Sequence, residues 1–216
     1  MNKPRNLELA EILRNAKIIP VLTVRSWEGL DELAATLIDN GLGTLEITLR
    51  SPIALDVIKH LRRQFPQAVV GAGTLIGIDQ IADVLASGAM FAVSPGVHYN
   101  LVKAMEHMAL PFLPGATTAS EMMQLLEAGY LIQKFFPART SGGCEALKLL
   151  AGPLPDLRFC ATGGLTMADI STYLAEPNCL AIGGSWMAPG ELVRAGRWQE
   201  IGQLVRQSMA LVDSHG

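Results

Sequence analysis

The sequence predicts an α/β fold, a single-domain (β/α)8 TIM barrel with an N-terminal helix over residues 1–216, and three observations predict it. Short apolar, β-branched runs alternate with segments of helical periodicity almost from end to end. About eight such units in series match eight parallel strands joined by helical crossovers, near the lower size limit of that barrel. The segments that follow the strand runs are crowded with Gly, Pro, Thr and Ser, the composition expected where a barrel builds its ligand-binding mouth.

Taken in order, residues 7–15 form an amphipathic stretch and supply the N-terminal helix. Strand runs follow at 18–24, 44–48, 68–70, 91–93, 111–113, 131–135, 158–161 and 180–182. Helical spacing fills the intervals at 27–38, 53–61, 78–85, 101–108, 120–126, 145–150 and 168–174. In the first of these, Leu30, Leu33, Ala34, Leu37 and Ile38 share one face. Thr118 ahead of Ala119-Ser120-Glu121 suits a helix N-cap, and Asp79 lies near the start of its own helical segment. No linker or low-complexity tract divides the chain. The competing architecture is an open, doubly wound sheet, supported by Gly71-Ala72-Gly73-Thr74-Leu75-Ile76-Gly77 after a strand. That spacing is GxGxxxG rather than GxGxxG, and no acidic residue follows at about 20 residues to hold a ribose.

With 50% hydrophobic and 17% charged residues, the composition is that of a folded globular protein. A net charge of -3 and the lack of a Lys/Arg run argue against a nucleic-acid partner. No apolar stretch approaches membrane-spanning length, and residues 1–6 carry no signal-peptide core, so a cytoplasmic protein with no membrane partner is expected. Cys144, Cys160 and Cys179 form neither a CxxC pair nor a disulfide framework and are read as ordinary buried thiols. His60, His107 and His215 are scattered without metal-ligand spacing, so neither a metal nor a cofactor is expected. His98 is read as a solvated loop residue rather than a proton relay. Met105, Met108, Met122 and Met123 suit a core or a subunit interface, and Lys59, Lys103 and Lys148 suit solvated helix faces.

Two charged residues lie inside strand runs. In Thr44-Leu45-Glu46-Ile47-Thr48, the period of two sends Leu45 and Ile47 to the helices and Glu46 with Thr48 into the barrel. In Leu131-Ile132-Gln133-Lys134-Phe135-Phe136, Lys134 shares the inward face with Ile132 and Phe136. The two residues fall on the second and sixth strands, and alternate strands fill one barrel layer, so the pair can meet. A purely structural ion pair is the plainer reading, but apolar residues in its place are often neutral or stabilising. Ionisable groups in such surroundings cluster at functional sites. A lysine amine that adds to a ketone and loses water gives an iminium, an electron sink for cleaving the adjacent carbon–carbon bond, with Glu46 placed for proton transfer. The glycines Gly163-Gly164 and Gly183-Gly184 follow the seventh and eighth strand runs, where barrels commonly bind phosphate.

The chain resembles the bacterial 2-keto-3-deoxy-6-phosphogluconate (KDPG) and 4-hydroxy-2-oxoglutarate (KHG) aldolases. The resemblance rests on Ile19-Pro20-Val21, Leu45-Glu46-Ile47-Thr48-Leu49-Arg50, Val70-Gly71-Ala72-Gly73-Thr74, Ser94-Pro95-Gly96, Lys134-Phe135-Phe136-Pro137-Ala138, Thr162-Gly163-Gly164 and Ile182-Gly183-Gly184-Ser185-Trp186, in that order. It implies a metal-free class I aldolase of the Entner–Doudoroff pathway, acting on a small 2-oxo acid phosphate and forming a homotrimer. It also implies Lys134 as the Schiff-base lysine and Glu46 as the general acid/base. Arg50 and Thr74 would hold the pyruvyl carboxylate, and Pro95 and Phe136 would form apolar walls. Gly163, Gly164, Gly184 and Ser185 would cradle phosphate, and Thr162 would favour the gluconate over the galactonate configuration. Two departures bear on substrate preference. Ala161 stands where the family commonly has Pro, which is expected to loosen that turn, and Arg139-Thr140-Ser141 replaces a more acidic stretch. The rival functions are a barrel isomerase or epimerase with Glu46 as base, a class I aldolase for the galactonate epimer, and a non-catalytic sugar-phosphate-binding barrel.

Overall fold

In the computed structural model, which describes residues 7–213, every paired strand runs parallel to its neighbours. The readings of residues 1–6 and of His215 fall outside the described residues. The strands are β1 (Ile18–Leu22), β2 (Thr44–Thr48), β3 (Val69–Gly73), β4 (Ala92–Val93), β5 (Phe112–Leu113), β6 (Gly115–Ala116), β7 (Ile132–Phe135), β8 (Arg158–Thr162) and β9 (Cys179–Gly184). Their order, β5-β4-β3-β2-β1-β9-β8-β7-β6, has the two halves of one strand at its ends. Pro114 separates them, because it has no N–H to give to a ladder. Before it, Phe112 and Leu113 pair with Ala92 and Val93; after it, Gly115 and Ala116 pair with Lys134 and Phe135. The Pro114 carbonyl accepts the Lys134 N–H at 2.8 Å, and the buried Ser94 hydroxyl accepts the Gly115 N–H at 3.2 Å. These bonds draw β5 and β6 into one strand of an eight-stranded barrel. An open doubly wound sheet is excluded.

The outer layer comprises α2 (Leu30–Asp39), α3 (Ala54–Gln64), α4 (Ile81–Ala86), α5 (Tyr99–Met105), α6 (Ala119–Glu127), α7 (Gly143–Ala151), α8 (Ile170–Leu174), α9 (Gly190–Arg194) and α10 (Trp198–Asp213). The last two, beyond the final helix expected from sequence, close the ring. α10 packs on both α2 and α8, and the Trp186 Nε1 donates to Ser208 Oγ at 3.1 Å. Thr118 caps α6 as expected, its hydroxyl accepting the Glu121 N–H while the Glu121 carboxylate takes the Thr118 N–H. Asp79 does not cap its helix. The preceding turn is held by the Gln80 side chain, which accepts the N–H groups of Ile76 and Gly77.

Strand alternation divides the apolar residues into two cores. Leu45, Ile47, Val70, Ala72, Phe135, Phe159, Ala161 and Ile182 face the helices. Ile19, Phe91, Val93, Leu113, Ile132, Cys160 and Ala181 fill the lumen, together with Leu9, Ala10 and Leu13 of α1 (Leu7–Ala16). The N-terminal helix therefore plugs the end of the barrel where the strands begin, and the polar lumen residues lie beyond this apolar floor.

Several segments expected as loops are strand. β3 runs through Gly71-Ala72-Gly73, β6 includes Gly115, and β9 takes in Gly183 and Gly184. The reason is room on the inward face. A Cβ at Gly71 would overlap the Phe91 ring, and one at Gly115 would overlap the Pro95 carbonyl. Ala161 also lies within a strand, paired with Phe135 on one side and Ile182 on the other, one residue before the end of β8. Met105 and Met122 are buried as expected, whereas Met123 is exposed on α6.

Leu13 is fully buried in the plug, remote from the polar layer. Leu13→Ala is expected to cost about 2–5 kcal/mol, the usual price of a buried leucine and the cavity it leaves. A shifted urea midpoint with an unchanged slope would register it.

Candidate active site

Inward-facing residues from opposite strands meet above the apolar floor. Lys134 on β7 and Glu46 on β2 are 4% and 3% exposed, and Lys134 Nζ donates to Glu46 Oε1 at 3.4 Å. The pairing expected from strand alternation is present. Gly73 makes it possible, because a Cβ there would collide with the Glu46 carboxylate. The Phe136 ring lies with its centroid 5.3 Å from Nζ, close enough for the ammonium to interact with the ring face. Cys160 is the β8 register partner of Lys134. Burial pushes its thiol up to about 12, and the Glu46 charge adds to this against the opposing pull of Lys134 and Thr162. At neutral pH it is an uncharged neighbour rather than a nucleophile.

The other expected residues lie at or just beyond the ends of the strands. Thr74 follows β3 with φ 65, a left-handed conformation that is uncommon for a β-branched residue and that re-aims the chain at the barrel mouth. Arg50 is exposed directly after β2, and among the described residues its guanidinium has no ion-pair partner. Pro95 follows β4, and its carbonyl passes close to Gly115. Thr162 ends β8 with its side chain against Gly183 of β9, where a Cβ would lie 2.6 Å from Oγ1. Gly163 and Gly164 adopt φ 106 and 74, and Gly163 packs against Phe136 and Pro137. Gly184 ends β9 beside the Trp186 ring, and Ser185 is exposed just beyond it. All of these lie at the ends where the strands finish.

Some contributors were not singled out from sequence. Thr48, on the inward face with Glu46, bonds to Thr23 Oγ1 at 2.8 Å and donates to the Leu22 carbonyl at 3.1 Å, tying β1 to β2 at the mouth. Strand alternation had already placed it. Thr117 donates to the Phe136 carbonyl and steadies the chain after Lys134. Its position in a Gly/Thr-rich loop was visible, but its partner depends on the fold.

Residues set aside as non-catalytic sit apart. His98 is exposed and caps α5, its Nδ1 accepting the Leu101 N–H at 3.3 Å. His60 pairs with Asp31 at 2.7 Å on the outer helices. Cys179 is buried with a strongly raised thiol pKa, whereas Cys144 is only half-buried, a departure from the expectation of three buried thiols. Among the described residues, no three His, Cys, Asp or Glu side chains gather as metal ligands.

A buried lysine–carboxylate pair at the C-terminal mouth of a parallel barrel is an arrangement able to add an amine to a carbonyl. Residues 9–204 match the family model described as KDPG and KHG aldolase. The 2-dehydro-3-deoxy-phosphogluconate aldolase of Pseudoalteromonas atlantica is 40% identical over 97% of this chain and 98% of its own. The KHG/KDPG aldolase of Escherichia coli is 40% identical over 92% and 93%. A crystal structure of KDPG aldolase from Legionella pneumophila, with pyruvate captured at low pH as a covalent carbinolamine intermediate, superposes with a TM-score of 0.88 at 38% identity over 91% of this chain and 96% of that one. The chain belongs to the KDPG and KHG aldolase family.

The raised Cys160 pKa has a thermodynamic consequence. Folded Cys160 holds its proton up to about 12, whereas the unfolded thiol loses it near 9.0. Between those values the unfolded state binds fewer protons, so stability is full below about pH 9 and falls as pH rises toward 12. Denaturation midpoints measured across that range should fall, and less steeply in Cys160→Ala.

Proposed function

We propose that this protein is a class I aldolase that reversibly cleaves 2-dehydro-3-deoxy-6-phosphogluconate to pyruvate and glyceraldehyde 3-phosphate. It also cleaves 4-hydroxy-2-oxoglutarate to pyruvate and glyoxylate. The observation that carries this reading is the buried Lys134–Glu46 pair at 3.4 Å above a lumen floor packed with apolar side chains. The whole chain, residues 1–216, serves as one (β/α)8 aldolase domain.

Lys134 sheds its proton to water, its neutral amine adds to the C2 carbonyl, and the carbinolamine oxygen takes a proton and leaves as water to give an iminium. Glu46, through a water, takes the proton of the C4 hydroxyl. The C3–C4 bond breaks, its electron pair passes into the iminium to leave an enamine, and the aldehyde departs. The enamine takes a proton at C3, and water then releases pyruvate and restores the amine. Phe136 and Pro95 shield the pyruvyl carbons from solvent. Arg50 and Thr74 hold the carboxylate, Arg50 having no ion-pair partner among the described residues and Thr74 standing just after β3 with φ 65. Gly163, Gly164, Gly184 and Ser185 receive the phosphate through backbone N–H groups and a hydroxyl. Thr162, beside Gly183, sets the preference for the gluconate configuration. The chemistry draws on side chains alone, with no metal or cofactor.

The active form is a homotrimer in the cytoplasm. Ile76, Ile78 and Tyr99 are 59%, 53% and 73% exposed, an apolar surface suited to burial between subunits. Among the described residues no helix is long and apolar enough to cross a membrane.

Borohydride added with pyruvate should leave a reduced three-carbon adduct on Lys134, detected by mass spectrometry, and none on Lys134→Met. Glu46→Gln should keep adduct formation while kcat falls about 100-fold or more, the scale of lost general acid–base catalysis. A fully active Lys134→Met protein would overturn the assignment. Turnover without any adduct would favour an isomerase or epimerase, and binding without pyruvate release would favour a sugar-phosphate receptor.

A further inference from the structure

We propose that Arg139 is a positioning residue that latches the Gly163-Gly164 loop and so sets the preference for phosphorylated over unphosphorylated substrate. This rests on the reading of that loop as the phosphate end of the site. Arg139 opens the short turn Arg139–Ser141, two residues after Pro137. Its backbone N–H donates to the Gly163 carbonyl at 3.0 Å, and its Nε donates to the Gly164 carbonyl at 2.5 Å. Its Nη2 donates to Asp169 Oδ2 at 3.1 Å, and the same oxygen accepts the Thr166 N–H at 2.7 Å and hydroxyl at 2.8 Å. Burial raises the Asp169 carboxyl, but the bonds from Thr166 and Arg139 outweigh it and leave the net shift downward. One arginine therefore ties both ends of the loop, at Gly164 and, through Asp169, at Thr166.

The direction of these bonds matters. In a trans peptide the N–H points opposite to the C=O of the same plane. With the Gly163 and Gly164 carbonyls turned onto Arg139, the N–H groups of Gly164 and Leu165 face away from it. Among the described residues, neither of those two N–H groups donates a hydrogen bond. Successive N–H groups aimed one way are the geometry that receives an anion. Gly163 and Gly164 have the widest backbone freedom of any residue type, so a loop at φ 106 and 74 needs an external tie to keep that orientation. The half-exposed guanidinium also adds positive charge beside the loop.

The test compares two substrates that share the lysine chemistry and differ in the phosphate. In Arg139→Ala, KM for 2-dehydro-3-deoxy-6-phosphogluconate should rise about tenfold with kcat within about twofold, the pattern of lost uniform binding. Both constants for 4-hydroxy-2-oxoglutarate should stay within about twofold. Inorganic phosphate should lose potency as a competitive inhibitor to the same degree. Arg139→Lys should fall between, because it keeps the charge but not the fork that spans Gly164 and Asp169. If Arg139→Ala is poorly folded by circular dichroism, Arg139→Lys and Asp169→Asn carry the same comparison. Equal losses on both substrates, or no loss on either, overturn the latch. A wild-type protein that cleaves neither substrate overturns the aldolase reading and the latch together.

Discussion

Holding two opposite charges inside an apolar barrel is the constraint around which the structure is organised. Removing an ammonium and a carboxylate from water costs several kcal/mol each, and a single contact at 3.4 Å returns only part of that. The barrel accommodates the pair by shaping its surroundings. Gly73 leaves space for the Glu46 carboxylate, and the Phe136 face lies near the ammonium. The α1 plug fills the lumen floor with Leu9, Ala10 and Leu13. A polar layer above an apolar layer separates chemistry from stability along one axis.

Much of this was legible in the chain. Alternation in Thr44-Leu45-Glu46-Ile47-Thr48 and around Lys134 was enough to send both charges inward, because a period of two is dictated by strand geometry alone. The alternation of strand and helix patterns was enough to foresee the barrel. What misled was glycine. The stretches Gly71-Ala72-Gly73 and Gly183-Gly184 look like turns by composition, yet they extend β3 and β9 because the lumen needs them without side chains. That need arises from Phe91, Glu46 and Thr162, distant in sequence, and no local pattern expresses it.

Long-range partnerships were equally hidden. Arg139 stood out as an unusual residue, but its hold on Gly164 and Asp169 depends on how three loops meet. Thr117 and Thr48 are ordinary loop and strand residues until the fold supplies the Phe136 and Leu22 carbonyls. Cys160 was correctly read as an inert buried thiol. Its position beside Lys134 shows why inertness is useful there: a thiolate at that place would compete with Glu46 for the ammonium.

The break at Pro114 divides the barrel into unequal parts. β2 meets β3 at five register pairs and β7 meets β8 at four, whereas β3 meets β4 at one and β4 meets β5 at two. Free energy of local opening follows the density of such pairing. Amide protons of β4 and β5 should therefore exchange by small openings well before those of β2 or β8 do. β2 and β7, which carry Glu46 and Lys134, each have one densely paired neighbour, and the sparse pairing falls in the wall that carries Ser94 and Pro95. Loosening in that wall leaves intact the β2–β3 and β7–β8 ladders that position the two charged side chains.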